Sequence, residues 1–157
     1  MKTLIIYATK HGCTEKCANK LKNNLPGDID MVNLQDKRDF GLADYDKIIV
    51  GGSIHMGKVQ KAVKDFCEHN ADVLNQKKLG LYLCCMEEGE AANKQFNEAF
   101  PDDLIAHASA TGIFGGEYNL EKMNFIERFM IKRIAKTDKS VSKISEDQII
   151  KFAESIM

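Results

Sequence analysis

Residues 4–14 read LIIYATKHGCT, and this stretch decides the fold. It begins with Leu4-Ile5-Ile6-Tyr7, a short continuous apolar run that is typical of a strand buried on both faces of a parallel sheet. Gly12 allows a tight turn, and helical spacing follows over residues 14–24. Unpaired backbone N–H groups and the dipole at a helix start attract anions, so the stretch predicts an anion site directly after the first strand.

Two interpretations of the loop 9–14 remain open from these residues alone. In the first, Thr9 and Thr14 donate hydroxyl hydrogen bonds and Lys10 adds one positive charge, which suits a phosphate. In the second, Thr14 is only an N-cap and Gly12 only a turn residue. The glycines match neither the dinucleotide pattern G-x-G-x-x-G nor the P-loop pattern, which argues against those two nucleotide folds.

Strand and helix patterns alternate along the rest of the chain. Strands are predicted at residues 4–7, 29–34, 47–50, 79–86 and 105–114, and helices at residues 14–24, 58–71 and 89–99. Two further helices are predicted in the tail, over residues 122–136 and from Ser145, which forms a capping-box pattern with Gln148. This alternation predicts an α/β fold, a doubly wound parallel sheet with helices on both faces.

The ligand crevice of such a sheet lies at the carboxyl ends of its strands. Three predicted loops leave those ends, at residues 9–14, 51–58 and 84–90. Function is therefore expected where these three loops meet.

Length, charge and hydropathy argue against nucleic-acid-binding, membrane-spanning and secreted classes of protein. The 157 residues predict a single domain spanning residues 1–157, and a net charge of −1 gives no reason to expect a nucleic-acid partner. No apolar run approaches the roughly 20 residues of a membrane span, and the N-terminal apolar stretch is too short for a signal peptide. These features predict a cytoplasmic protein.

Metal and disulfide sites are not expected from the spacing of cysteine and histidine. The five cysteines include no C-x-x-C pair, and the four histidines are scattered along the chain. Cys13 stands at a helix start, where thiol pKa values fall, so a redox-active thiol with Cys17 one turn on is one interpretation. An inert loop thiol beside a phosphate is the favoured one. Cys84 and Cys85 are adjacent, and at least one is predicted to be a buried small hydrophobe.

The pattern T-x-x-G-x-T over residues 9–14 resembles the phosphate loop of flavodoxins, and residues 51–58 resemble the flavodoxin loop that covers one flavin face. More specifically, three stretches resemble the menaquinone-dependent protoporphyrinogen dehydrogenase branch of that superfamily: MKTLIIYAT from Met1, YDKIIVGGSIHMG from Tyr45 and RFMIK from Arg128. The resemblance implies a flavodoxin-like sheet of five parallel strands in the order 2-1-3-4-5, and one bound FMN.

The implied FMN-binding residues come from the three loops. They are Thr9, Lys10, His11, Gly12, Cys13, Thr14, Ser53, Ile54, His55, Met56, Gly57, Cys84, Cys85, Met86, Glu87 and Gly89. Gly57 is the candidate for a peptide flip beside the flavin, and Tyr118 for a contact at its edge. The acidic residues Glu87, Glu88 and Glu90 are expected to lower the flavin potential or to favour a helix start.

The chain departs from the flavodoxin pattern at two points. His11 stands where many flavodoxins have a threonine, and no tryptophan is available to stack on the flavin. His55 and Met56 occupy the first covering loop instead, and Cys84-Cys85-Met86 the third loop. The resemblance therefore implies a flavin site with its own tuning.

Three functions follow as hypotheses. The first is an FMN redox protein that exchanges electrons with partner proteins or a quinone, the flavin carrying the chemistry without a catalytic side chain. The second is a quinone-linked protoporphyrinogen dehydrogenase; it ranks lower because residues 86–104 are short and acidic where that branch has a longer basic insertion. The third, a flavin-free receiver domain, needs an acidic cluster where Thr9 and Lys10 stand.

The basic tail helix over residues 122–136 admits two interpretations. Lysines and arginines surround an apolar stripe, which is a pattern that lies on anionic membranes. The same pattern is produced by an ordinary helix that covers the sheet and turns a solvated basic face outward. The covering helix is the favoured interpretation, and peripheral membrane contact the alternative.

Overall fold

Five parallel strands form the central sheet of the computed structural model, which describes residues 1–36, 39–135 and 139–157. The elements in chain order are β1 (Lys2–Tyr7), α1 (Cys13–Asn24), β2 (Asp28–Asn33), β3 (Lys47–His55), β4 (Lys58–Val59), α2 (Lys61–His69), α3 (Ala71–Leu74), β5 (Lys78–Cys84), α4 (Gly89–Ala99), α5 (Asp102–His107), β6 (Ala110–Ile113), β7 (Glu117–Tyr118), a 3₁₀ helix (Leu120–Lys122), α6 (Phe125–Ile134), β8 (Val141–Ser142) and α7 (Glu146–Ile156).

The sheet has the order β2-β1-β3-β5-β6, with all four neighbouring pairs parallel. Counting only these five strands, this is the predicted order 2-1-3-4-5, so the predicted fold is confirmed. The remaining strands are short and antiparallel: β4 pairs with the end of β3, and β7 pairs with β8.

Alternation along β1 divides the core into two layers, one on each face of the sheet. Leu4 and Ile6 face the layer that α2, α4 and α5 cover, whereas Ile5 faces the layer covered by α1 and α7. Successive side chains of a strand point to opposite faces, so a strand with apolar residues at every position must be buried on both. The apolar run of residues 4–7 is therefore covered by helices on both faces of the sheet.

The strand predicted over residues 105–114 is too long. Residues 105–114 do not form one strand, because Ile105 belongs to α5 and the strand begins only at Ala110. Asp102 and Asp103 follow Pro101, and acidic residues at a first turn stabilise a helix start through its dipole.

Residues 51–58 are not a loop throughout. β3 continues to His55, and the chain then turns back through Met56 and Gly57 into β4. Met56 has φ of 53° and Gly57 of 79°, as a two-residue hairpin turn requires. The helix predicted over residues 58–71 accordingly begins only at Lys61.

The two tail helices differ in their role. α7 begins at the predicted cap, where the Ser145 side chain accepts a hydrogen bond from the Gln148 backbone N–H, and it buries its apolar face against the sheet. By contrast, none of the described residues of α6 is buried, and Phe125 is 83% exposed. The favoured interpretation of residues 122–136 as a covering helix is therefore wrong; Lys136 lies outside the described residues.

A close contact links the sheet to the start of α1. The Tyr82 ring crosses directly over Gly51 of the neighbouring strand, and a Cβ built on Gly51 would lie 2.0 Å from its Cζ atom. The Tyr82 hydroxyl donates a 3.0 Å hydrogen bond to the Thr14 carbonyl, and its ring stacks on Phe114. Glycine at position 51 is thus required for the tyrosine to reach α1.

We predict that Gly51→Ala lowers the free energy of unfolding by about 1–3 kcal/mol, since overpacking displaces a rigidly held ring. Gly41→Ala is the matched control, because a Cβ at Gly41 meets no atom within 4 Å. Urea unfolding of both variants measures the effect. Equal unfolding midpoints for Gly51→Ala and the unaltered protein would show that the Tyr82 contact is not constrained as described.

Candidate functional site

A cavity of about 230 Å³ opens at the carboxyl ends of β1, β3 and β5. It is the crevice expected of a doubly wound sheet. Its walls come from the three segments that the sequence indicated, from Gln95 of α4 and from the region between β6 and α7. The lining residues are Thr9, Lys10, His11, Cys13, Ser53, Ile54, His55, Met56, Gly57, Cys84, Cys85, Met86, Glu87, Gln95, Gly116, Glu117, Tyr118, Met123, Glu127, Met130, Ile131 and Ile134.

The structure brings most of the predicted site residues together in this cavity. Gly12, Thr14 and Gly89 are the predicted residues that do not line its wall. Gly12 and Thr14 lie immediately behind it at the start of α1, and Gly89 instead lines a neighbouring groove between α4 and β6. Their assignment to a cofactor remains a prediction.

The loop 9–14 turns sharply into α1. Gly12 is the residue before the helix, with φ of 96°, a conformation that other residues rarely adopt. The Gly12 N–H donates a 2.9 Å hydrogen bond to the Thr9 hydroxyl, which stabilises the turn. Thr14 lies inside the helix and makes no side-chain cap, so the interpretation of Thr14 as an N-cap is wrong.

Thr14 has a hydroxyl that the protein itself does not satisfy. Its Oγ1 is buried and has no hydrogen-bond partner. Leaving such a group buried and unpaired costs about 1–3 kcal/mol. An acceptor bound at the helix start would remove that cost.

Lys122 adds a cation to this loop that sequence reasoning did not connect with it. Its Nζ lies 3.0 Å from where a Cβ on Gly12 would stand. Lys122 ends the 3₁₀ helix, far along the chain from residue 12, and no local pattern places it there. The Lys122 ammonium therefore lies beside the helix start, whereas the Lys10 ammonium contacts His55 and Glu127.

Glu127 of α6 is the centre of a charged cluster at the cavity wall. Its Oε2 lies 2.9 Å from His11 Nε2, 3.3 Å from Lys10 Nζ and 3.5 Å from His55 Nε2. Sequence reasoning missed Glu127. The available signal was the capping box of Asn124 and Glu127, which indicates where α6 begins but not what the carboxylate contacts.

The protonation of this cluster follows from its surroundings. Burial lowers the pKa of His55, and the charge of Lys10 lowers it further. Burial alone would raise the pKa of Glu127, but hydrogen bonds from His11, the Asn124 backbone and Lys10 outweigh it and lower that pKa. The cluster thus contains an ionised carboxylate that neutralises part of the positive charge around the loop 9–14.

His11, His55 and Glu127 also have donor atoms within 4.8 Å of one another. The sequence predicts no metal site because the histidines are scattered, yet the fold brings two of them together. Lys10 Nζ lies 2.8 Å from His55 Nε2, so an ammonium group already contacts the nitrogen that would have to bind a metal ion. The arrangement suits ion pairing with a carboxylate or a phosphate better than metal ligation.

Thioethers line much of the remaining cavity. Met56 and Met86 come from the predicted segments, and Met123 and Met130 from the region after β6. Tyr118, also in the wall, has its pKa raised by burial. Polarizable sulfur packs well against aromatic rings, so these methionines offer an apolar surface where aromatic stacking residues are few.

The predicted acidic residues supply only part of the negative charge in the cavity wall, since Glu117 and Glu127 line it as well. Of the three glutamates at this end of β5, Glu87 lines the cavity. Glu88 lies 3.6 Å from Lys143, and Glu90 is in the first turn of α4. The alternative interpretation, acids that favour a helix start, accounts for Glu90.

The chain belongs to the flavodoxin domain family, whose model matches residues 4–145. The predicted flavodoxin-like resemblance is thus confirmed, and the family supports an FMN redox protein, with FMN as its cofactor. Among the residues described, no helix is long and apolar enough to cross a membrane.

Individual relatives agree with this family. The chain is 25% identical to protoporphyrinogen IX dehydrogenase [quinone] from Escherichia coli K12, over 99% of this chain and 94% of the relative. It is 23% identical to the protein of the same description from Leishmania major, over 86% of this chain and 62% of that one. Oxidised flavodoxin 1 from Bacillus cereus has a similar fold, with a TM-score of 0.60 and 16% identity over 99% and 97% of the two chains.

Proposed function

We propose that this chain holds one FMN with its phosphate at the loop 9–14 and transfers electrons to and from redox partners or a quinone. The observation that carries this proposal is the start of α1, where no side chain caps the first-turn N–H groups and the Thr14 hydroxyl is buried without an acceptor. A phosphate supplies that acceptor and matches the positive end of the helix dipole.

Charge around the loop supports a dianion there. Lys10 belongs to the loop and Lys122 lies at the helix start, and the carboxylate of Glu127 neutralises only part of this positive charge. A phosphate forms stronger, charge-assisted hydrogen bonds than a neutral acceptor. His11, where many flavodoxins have a hydroxyl, binds the Glu127 carboxylate through Nε2 and leaves its buried Nδ1 without a partner.

The remaining predicted residues would surround the flavin ring. Ser53, His55 and Met56 approach from the β3–β4 hairpin, and Cys85 and Met86 from the end of β5. FMN supplies one- or two-electron transfer when it is bound. The protein's part is to orient the ring, to exclude water with its methionines and to set the local charge through groups such as Glu87.

We predict that Thr14→Val weakens FMN binding about tenfold or more, because a hydrogen bond to a charged group contributes about 1.5–3 kcal/mol. Thr14→Ser retains the hydroxyl and is expected to bind within a few-fold of the unaltered protein. Titration of FMN fluorescence measures both affinities. If Thr14→Val and Thr14→Ser bind FMN equally, the phosphate does not lie at this hydroxyl.

A second candidate function is a quinone-linked protoporphyrinogen dehydrogenase. Two relatives carry this description, and they match 99% and 86% of this chain. The cavity also has an apolar wall from α6, formed by Met130, Ile131 and Ile134, which suits a large aromatic substrate better than a small polar one.

We expect anaerobic oxidation of protoporphyrinogen with a soluble quinone to depend on added FMN. At limiting FMN, Thr14→Val should turn over more slowly, and saturating FMN should restore the rate. Thr14→Ser is the matched control. A yellow, FMN-loaded protein that gives no turnover would eliminate this candidate and leave the electron carrier.

The exposed face of α6 is the proposed contact with a membrane surface. Phe125 and Ile126 are 83% and 68% exposed, and Lys132 and Arg133 lie on the same helix. The Arg128 guanidinium instead donates a hydrogen bond to the Leu120 carbonyl, so this basic residue anchors the helix. A cytoplasmic protein that docks peripherally through apolar and basic side chains would reach a membrane quinone.

We predict that the protein co-sediments with anionic vesicles at low salt, and less so at high salt because the charges are screened. Phe125→Ser with Phe129→Ser should abolish the binding. Val73→Ser with Ile150→Ser is the matched control, since both residues are exposed and apolar on other helices. Equal binding of the two double variants would refute α6 as the contact.

A further inference from the structure

Three thiols meet behind the start of α1. Cys13 and Cys17 lie one turn apart on α1, and Cys84 ends β5 beneath them. The sulfur atoms all lie within 4.8 Å of one another, and those of Cys17 and Cys84 are 3.6 Å apart. The thiols are free and buried: Cys17 is 0% exposed, Cys84 2% and Cys13 9%.

The spacing of these sulfur atoms suits three-fold coordination. With metal–sulfur bonds of about 2.3 Å, three sulfurs around a central ion form a flat triangle with sides of about 4.0 Å. The Cys17 and Cys84 sulfurs, 3.6 Å apart, are close to that spacing and the Cys13 sulfur lies within 4.8 Å of both, so small changes of side-chain torsion would complete the triangle. Fusion of two of these sulfurs into a disulfide requires an approach to about 2.05 Å, a larger displacement within a packed core.

We propose that Cys13, Cys17 and Cys84 form a binding site for a soft, thiophilic cation, of which monovalent copper is the best fit. Soft thiolate ligands select Cu(I), whereas structural zinc almost always takes four ligands. Within the described residues, this group of donors contains three cysteines and no fourth ligand. The burial of Cys17 and Cys84 also leaves little room for a water molecule as the fourth.

One of the three sulfurs stands where a thiolate is favoured. Cys13 lies at the positive end of α1, which stabilises negative sulfur. Coordination transfers no electrons; each further thiol that binds the ion as thiolate releases its proton to solvent.

The flavin cavity provides the route into this site. Cys13 and Cys84 both line the cavity, whereas Cys17 lies behind them. A cation would therefore enter through the space proposed for FMN, and a bound cofactor would obstruct it. FMN-loaded protein should take up copper more slowly than FMN-free protein.

The test offers Cu(I), as its coloured bicinchoninate complex, to the reduced, FMN-free full chain without oxygen. We expect one equivalent to be removed from the chelator, and X-ray absorption to show three sulfur neighbours at about 2.3 Å. Cys17→Ser should weaken binding by more than about 100-fold, since even loss of an outer-shell partner costs 10–100-fold. Cys67→Ser, at an equally buried cysteine outside the group, should bind as before.

Failure to remove copper, two-sulfur coordination, or equal affinities of Cys17→Ser and Cys67→Ser would each overturn the proposal. Should Cys17→Ser not fold, Cys17→Ala is compared with Cys67→Ala in the same assay. FMN titration of each variant distinguishes failure of the copper site from failure of the proposed flavin site. A chain that binds FMN but no copper refutes only the thiol site, and one that binds copper but no FMN refutes only the flavin site.

Discussion

The whole site depends on the junction between β1 and α1, where the chain turns at Gly12 and begins a helix at the carboxyl edge of the sheet. That junction is held from behind by the Tyr82 hydroxyl, which binds the Thr14 carbonyl. Tyr82 reaches it only because the neighbouring strand has glycine at position 51. The contact fixes the helix start, so the anion that we propose to bind there would need little rearrangement of the protein.

The region after β6 adds charged side chains to the site that the sheet edge forms. It supplies the ammonium of Lys122 to the helix start and the carboxylate of Glu127 to the basic groups around it. The ion pairs of Glu127 with Lys10 and His11 link α6 to the cavity wall although the helix buries none of its described residues. The apolar side chains that α6 leaves outside are consequently available to a surface beyond the protein, while Met130 and Ile131 face the cavity.

The sheet order and the three converging segments were predictable from sequence because both follow from local patterns. Buried runs mark strands, and parallel topology brings their carboxyl ends to one edge. The role of α6 was not predictable, because an exposed amphipathic helix and a covering helix have the same periodicity. Lys122, Glu127 and the meeting of Cys17 with Cys84 also escaped prediction, since each is a contact between residues far apart in the chain. Residues 105–114 form the end of α5 and the strand β6, because the acidic helix start before them determines the local structure more strongly than their apolar run does.

In the proposed function, the phosphate held at the start of α1 anchors the cofactor. FMN and riboflavin differ only in that phosphate, so their affinities for the cofactor-free protein measure what it contributes. Several charge-assisted hydrogen bonds of about 1.5–3 kcal/mol each predict that FMN binds at least ~100-fold more tightly than riboflavin. Equal affinities of FMN and riboflavin, measured by fluorescence titration under the same conditions, would contradict the claim.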